Sequence, residues 1–176
     1  MRERACVRGY GVKGIIIIVL VTLVMWGCCF EARGFSGGDG SASNPYLISD
    51  PWELVGVIDK MYYNDFKLIS DIDMSGFIWD ASLISRELGP GKPTVGEYFS
   101  AGTFDGNGHA IRNLIIVAPK ADDVGLFEGL WASEVKNLTV ENMTIIGGEH
   151  NESIGIIAGK TWGTTIRNCH VKDCTI

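Results

Sequence analysis

The chain has few of the residues on which enzymatic chemistry usually rests. Its 176 residues include five cysteines and three histidines. No CxxC pair or His–Cys spacing suggests a zinc site. No GxSxG, HExxH or Walker pattern occurs, so nothing marks a serine hydrolase, a zinc peptidase or a P-loop enzyme. Basic residues are also scarce. Residues 1–34 hold five of the 15 Lys and Arg and two of the 21 Asp and Glu, leaving 10 basic against 19 acidic residues in 35–176. A mature chain so acidic argues against nucleic acid as a partner.

What is present points to a folded, exported chain. The composition is 46% hydrophobic and 20% charged, that of a packed domain and not a disordered one, and the length suits a single domain. Much of the apolar excess is local. Residues 14–27, GIIIIVLVTLVMWG, follow Arg2, Arg4, Arg8 and Lys13, which is the order of a secretory signal. The run is short beside the roughly 20 apolar residues of a transmembrane helix, so a retained N-terminal anchor is the alternative. Met25-Trp26-Gly27-Cys28 is similar to a bacterial lipobox and makes Cys28 a lipidation candidate, although Trp26 is large for that pattern. Ala32-Arg33-Gly34 offers an ordinary cleavage site instead. Membrane association is expected only through this leader or a lipid anchor.

The rest of the chain is organised by a repeat. VKNLTVENMTI (135–145) and IRNCHVKDCTI (166–176) superpose at an offset of 31 residues, which brings Asn137 to Asn168, Val140 to Val171 and Thr144-Ile145 to Thr175-Ile176. VGLFEG (124–129) returns as IGIIAG (154–159), and IRNLIIV (111–117) is a shorter echo. A repeat of about 30 residues marks a solenoid. Within each copy Leu138 and Val140 alternate with Asn137, Thr139 and Glu141, the period of a strand. Asn142 and Asp173 interrupt that period, so the unit reads as two short strands about a bend. Stacked coils would pair parallel strands and bury the inward side chains. Asn137 over Asn168 would form a side-chain ladder. Cys169 and Cys174 overlie Leu138 and Met143 and read as small inward hydrophobes. A disulfide between them is open to an exported protein but has poor geometry across a bend.

Upstream, residues 35–46 form a Gly/Ser/Asn-rich entry loop, and 46–48 a short strand. Asp50-Pro51 opens a helix with Trp52, Leu54, Val55 and Ile58 on one face, placed to close the first coil. FKLISDIDM (66–74) reads as one strand with Phe66, Leu68, Ile72 and Met74 inward. Residues 75–98 read as an irregular excursion. Asp105-Gly106-Asn107-Gly108 is a tight turn.

The order GDGSASNPYLIS, helix, FKLISDIDMSG, FSAGTFDGNGHAIRNLII, VGLFEGL, VKNLTVEN, IGIIAG, IRNCHV resembles the GLUG-motif proteins across 35–176. The glycine pair of that family is reduced here to Val124-Gly125 and Ile154-Gly155. The resemblance implies an all-β fold, a right-handed parallel β-helix similar to pectin lyases with an N-terminal capping helix. With the leader read at 1–34, it implies a cap and first coil at 35–98 and GLUG-type coils at 99–176. It also implies a bacterial secreted or cell-surface location and contacts with surface or matrix glycans or proteins. No single activity follows from such a fold.

The site candidates are few. Asp71 and Asp73 lie two residues apart on one strand face, at about the 7 Å that suits an inverting glycosidase or a calcium ion. Asp105, Asn107 and His109 form an oxygen-rich turn and a second calcium candidate. No other cofactor is indicated. Asp122-Asp123 reads as a solvated loop, and His150 stands in an acidic one. His170 faces outward. Asn137, Asn142 and Asn151 begin N-x-S/T sequons. The expected function is a structural, adhesive or glycan-contacting surface module without catalysis; the alternative is a polysaccharide lyase or glycoside hydrolase on the same fold. The last repeat ends without a polar or helical cap, so a further coil or a partner is expected to cover it.

Overall fold

The computed structural model describes residues 34–85 and 98–176. The expected leader and the lipidation candidate Cys28 lie outside the described residues. The rest is an all-β parallel β-helix, and each turn of the chain lays its strands beside those of the turn before.

The outermost coil holds β1 (Tyr46–Ile48), helix α1 (Pro51–Gly56) and a 3-10 turn over Val57–Lys60. Asp50 caps the helix by accepting from the backbone N–H of Trp52 at 2.8 Å and of Glu53 at 2.9 Å, and Pro51 follows in the first turn. Leu54 and Val57 are fully buried in the core. The expected helix face is rotated, for Trp52 is exposed and Glu53 is buried in its place. Glu53 is satisfied there, since it accepts from Ser49 N (2.6 Å), Ser49 Oγ (3.0 Å) and Ser36 Oγ (2.8 Å).

The next coil runs β2 (Phe66–Leu68), β3 (Ile72–Asp73), β4 (Ile78–Trp79) and β5 (Phe99–Ser100). Residues 66–74 are therefore two strands and not one. Phe66, Leu68, Ile72 and Met74 all point inward as the alternation required, but the backbone turns a corner between Leu68 and Ile72. Nor is the whole of 75–85 irregular: β4 pairs with the following coil and Ile84 bridges to Phe127. The third coil carries β6 (Thr103–Asp105), β7 (Ala110–Arg112), β8 (Ile115–Val117), β9 (Asp123–Val124) and β10 (Phe127–Trp131). The fourth repeats it as β11 (Glu134–Lys136), β12 (Thr139–Glu141), β13 (Thr144–Ile146), β14 (Ser153–Ile154) and β15 (Ala158–Trp162). The last holds β16 (Thr165–Arg167) and β17 (His170–Lys172). The unit thus has a corner at Asn137 as well as at Asn142.

Five parallel sheets run along the axis, in the orders β1-β2-β6-β11-β16, β3-β7-β12-β17, β4-β8-β13, β5-β10-β15 and β9-β14. Registers are those of the repeat, with Phe104 beside Val135 beside Ile166, and Ile111 beside Val140 beside Val171. Phe66, Phe99, Phe104 and Phe127 fill the interior, with successive ring centroids 5.3–5.8 Å apart. In the last coil the equivalent positions are less covered: Val171 is 49% exposed, whereas Val140 is fully buried. Cys169 and Cys174 there are free, half-buried thiols, and burial pushes the Cys169 thiol above its ordinary range.

The corners explain the asparagines. Asn113, Asn137, Asn142 and Asn168 all have φ between 51° and 60°, the left-handed region that Asn tolerates better than other residues with a side chain. Their amides then point along the axis. Asn168 Nδ2 donates to Asn137 Oδ1 at 2.8 Å, and Asn137 Nδ2 donates to Asp105 Oδ1 at 2.9 Å. At the next corner Asn142 Nδ2 donates to Asn113 Oδ1 at 2.7 Å, and Asn113 Nδ2 donates to Asp73 Oδ1 at 2.8 Å. Each ladder starts on a carboxylate, which accepts and needs no donor beneath it. The expected Asn137–Asn168 ladder is present, and a second runs parallel to it.

Candidate functional site

The acidic candidates do not converge. Asp71 Oδ1 accepts from Ala110 N at 2.9 Å and faces His109 Nδ1 at 3.2 Å, and its Oδ2 meets Arg112 at 3.0 Å. Asp73 is taken by Asn113 and by the backbone N–H of Ser75. The Ala110 N–H bond chiefly, and the Asn113 amide chiefly, hold Asp71 and Asp73 below the usual carboxylate range. A glycosidase pair needs one carboxyl raised so that it keeps its proton; here both are lowered, by structural partners. Asp105 accepts from Asn107 N at 2.8 Å and from Asn137, while His109 turns to Asp71. Among the described residues, no three His, Cys, Asp or Glu are grouped to hold a metal ion. The sequon asparagines are also committed. The Nδ2 of Asn137 and of Asn142 serves the ladders, and that of Asn151 donates to Ala118 O at 2.9 Å and to Ala121 O.

A different face carries the unusual residues. In the β5-β10-β15 sheet, Trp131 lies directly beside Trp162, and both are about half exposed (51% and 45%). Their ring centroids are 5.6 Å apart. Tyr98, just before β5, adds a third ring, stacked on Trp162 with centroids 6.1 Å apart and planes 30° from parallel. The Tyr98 ring reaches that far because it lies across Gly129: a Cβ on Gly129 would stand 2.1 Å from its Cδ1. Gly129 is a notch that lets one ring cross a whole coil. The strand ends just beyond at Ala132, whose φ of 46° is a left-handed conformation that costs a residue with a Cβ about 1 kcal/mol or more.

Charged groups border the rings. Lys160 Nζ stands 5.3 Å over the Trp162 ring, a cation–π contact. The same ammonium is 3.6 Å from Asp123 Oδ2 and 3.7 Å from Glu152 Oε2. Asp123 is not a solvated loop residue: it is 6% exposed, and its Oδ1 has no hydrogen-bond partner among the described residues. An ionised carboxylate is costly there without a cation. Asp123 in turn pushes the Lys160 ammonium above its ordinary value. Burial first, then the Asp123 carboxylate, with Glu128 and Asp122 behind it, raises the Tyr98 phenol. The strip is thus three rings and one ammonium within an acidic rim. A sign of it stood in the sequence: Trp131 and Trp162 are 31 residues apart, the offset of the repeat.

The comparisons with known proteins fit the parallel β fold and a surface or membrane-associated location. No family model matches the chain. Over 135 residues it is 33% identical to Halomucin of Haloquadratum walsbyi, a match that takes in 74% of this chain and 1% of that protein. Over 139 residues it is 27% identical to a protein named as a Gly-rich membrane protein in Evansella cellulosilytica, covering 76% of this chain and 15% of the other. The chain therefore spans a small part of the relatives it matches. A solved structure from Bacteroides ovatus, assigned as an immunoglobulin A1 protease, superposes with a TM-score of 0.51 at 22% identity. That match covers 78% of this chain and 50% of that one, and at such identity the likeness is one of fold.

Proposed function

We propose that this chain is an exported, surface-located β-helix module of the GLUG-motif kind, and that it contacts glycans without transforming them. The observation that carries the reading is the strip of Tyr98, Trp131 and Trp162. Two half-exposed tryptophans in register cost solubility and contribute little to the core, so folding alone does not account for them. Exposed rings bordered by polar groups suit the apolar faces and hydroxyl edges of sugars. The basic and apolar start of the chain supports export, and relatives named for a mucin and a membrane protein support a surface location. The ionised, separately partnered Asp71 and Asp73 speak against glycoside hydrolysis at that pair. The test is a glycan array read with the wild-type chain and with Trp131→Ala/Trp162→Ala, followed by prolonged incubation of each bound glycan and analysis of its length. Binding lost in the double variant, with the glycans recovered intact, is the expected result. Array binding unchanged by the double variant would remove the strip from the argument, and shortened glycans would restore the enzyme reading.

A further inference from the structure

The strip has a direction and a charge, and together they narrow the class of glycan. Its direction is that of the solenoid axis. Trp131 and Trp162 occupy the same position in successive coils, so their separation is set by the spacing of parallel strands, about 4.8 Å, and shows as 5.6 Å between ring centroids. That spacing is close to the advance per sugar in an extended pyranose chain. Tyr98, lying over Gly129 and against Trp162, widens the same platform. An extended chain laid along the axis would set neighbouring sugars on neighbouring rings. Their C–H bonds, weakly positive, would meet the negative faces of those rings.

Among the described residues, carboxylates outnumber the ammonium beside the rings. Asp123 and Glu152 both approach Lys160, so its one positive charge is already answered twice. A polyuronate or sulfated chain would bring a further negative charge with every sugar or two, into a surface that already holds an excess of carboxylates. Lys160 still has a use. At 3.6 and 3.7 Å from the two carboxylates its contacts are longer than good hydrogen bonds, so its N–H groups retain donor capacity toward a ligand hydroxyl beside Trp162.

We infer that the strip takes extended neutral glycans, laid along the solenoid axis over Trp131, Trp162 and Tyr98, with Lys160 donating to a hydroxyl, and that the carboxylate rim excludes polyuronates. The inference rests on the glycan-contact reading above. It assigns Lys160 as a specificity-determining residue and Asp123 as the residue that positions it.

Calorimetric titration of the full chain separates the two claims. The probes are cello-, manno- and xylo-oligosaccharides of two to six units, and oligogalacturonates of the same lengths, at low and high salt. At least one neutral series should bind, gaining affinity until the chain spans both tryptophans and little beyond. Oligogalacturonates should bind about tenfold or more weakly at low salt, and the gap should narrow as salt screens the rim. Glu152→Gln should raise uronate affinity more than neutral affinity. Trp162→Ala should lower neutral binding about tenfold with little change in thermal unfolding, since that ring is half exposed. Uronates bound as tightly as neutral sugars, with binding still lost in Trp162→Ala, would overturn the charge selection and leave glycan contact standing. Silence from both series would overturn both.

Discussion

Replacing Asn137 by Asp exchanges one NH2 for one oxygen and leaves shape and tolerance of the left-handed corner nearly unchanged. The donor that meets Asp105 Oδ1 at 2.9 Å becomes a second carboxylate oxygen. The lost bond is charge-assisted, worth about 1.5–3 kcal/mol where well formed. The added repulsion between charges about 4 Å apart lies between about 1 kcal/mol in water and about 4 kcal/mol at an effective dielectric of about 20. Asp105 is 22% exposed and Lys136 Nζ stands 3.9 Å from its other oxygen, so both contributions fall toward their low ends. A total of about 3 kcal/mol at neutral pH follows. The sign of the pH dependence is fixed. Two carboxylates sharing a site raise the folded-state pKa of the introduced group above its unfolded value. The folded variant therefore binds the proton more tightly, and it regains stability as pH falls through that raised value. The protonated group then donates to Asp105 as the amide did. Urea denaturation at about pH 7.5 and about pH 4.5, with wild type in parallel, should show the deficit at least halved at the lower pH. Asn168→Asp, which loses only a bond to the neutral Asn137 Oδ1, should cost about 1 kcal/mol. Equal deficits at the two positions, or a deficit at 137 that ignores pH, would refute the ladder as a chain of oriented amides ending on a charge.

Gly125 and Gly129 make a second comparison. A Cβ at Gly125 meets backbone only, Gly155 O at 2.5 Å and Gly159 N at 2.9 Å, so Gly125→Ala should cost about 3 kcal/mol in chemical denaturation. Gly129→Ala meets the Tyr98 ring, which can swing away, and should cost about 1 kcal/mol while weakening glycan binding. Lys160→Met leaves Asp123 buried without its cation and should lower the denaturation midpoint, and adding Asp123→Asn should restore most of the loss. Leu138→Ala should cost about 2–5 kcal/mol and Thr139→Ala less than about 0.5, measured the same way. Asp71 and Glu134 both have lowered folded-state pKa values, so what they contribute is complete above the ordinary carboxylate range of about 4 and is lost as pH falls through and below it; an acid titration followed by circular dichroism should show stability declining there.

The repeat carried most of the fold. Leu138 and Val140 announced a buried face, and the offset of 31 named the registers that β11, β12, β16 and β17 adopt. What escaped did so for a reason common to coiled chains. A corner between two strands leaves the inward alternation intact, since Phe66, Leu68, Ile72 and Met74 are buried on either side of one. Periodicity alone therefore reads two strands as one. The echo at 111–117 has the same ambiguity. IRNL resembles both VKNL and VENM, because both of those corners of the fourth coil are built on an Asn in the same conformation. Its partner is 140–146, one corner later than the likeness to IRNC at 166–169 suggests. Asp123 escaped because its neutralising cation, Lys160, comes a whole coil later.

The same logic says where function should be sought on a solenoid. Inward positions repeat because each coil must cover the next, so their repetition carries no information about ligands. Outward positions are free to vary, and most here do. Thr139 and His170, neighbours in one column, share no chemistry. The column Arg112, Glu141, Lys172 alternates in sign, and Arg112 Nε meets Glu141 Oε2 at 2.8 Å, which is what neighbours in a ladder require and no more. Ile78 beside Ile115 is an apolar outward pair as well, but the aromatic pair is Trp131 and Trp162. They stand in register, outward and half exposed, and their sheet neighbour one coil before is Ser100. An outward residue repeated at the spacing of the coil, of a type that water disfavours, is retained against the solubility of the chain. Repetition on the outside needs a cause other than packing, and a ligand whose own repeat runs along the axis is such a cause.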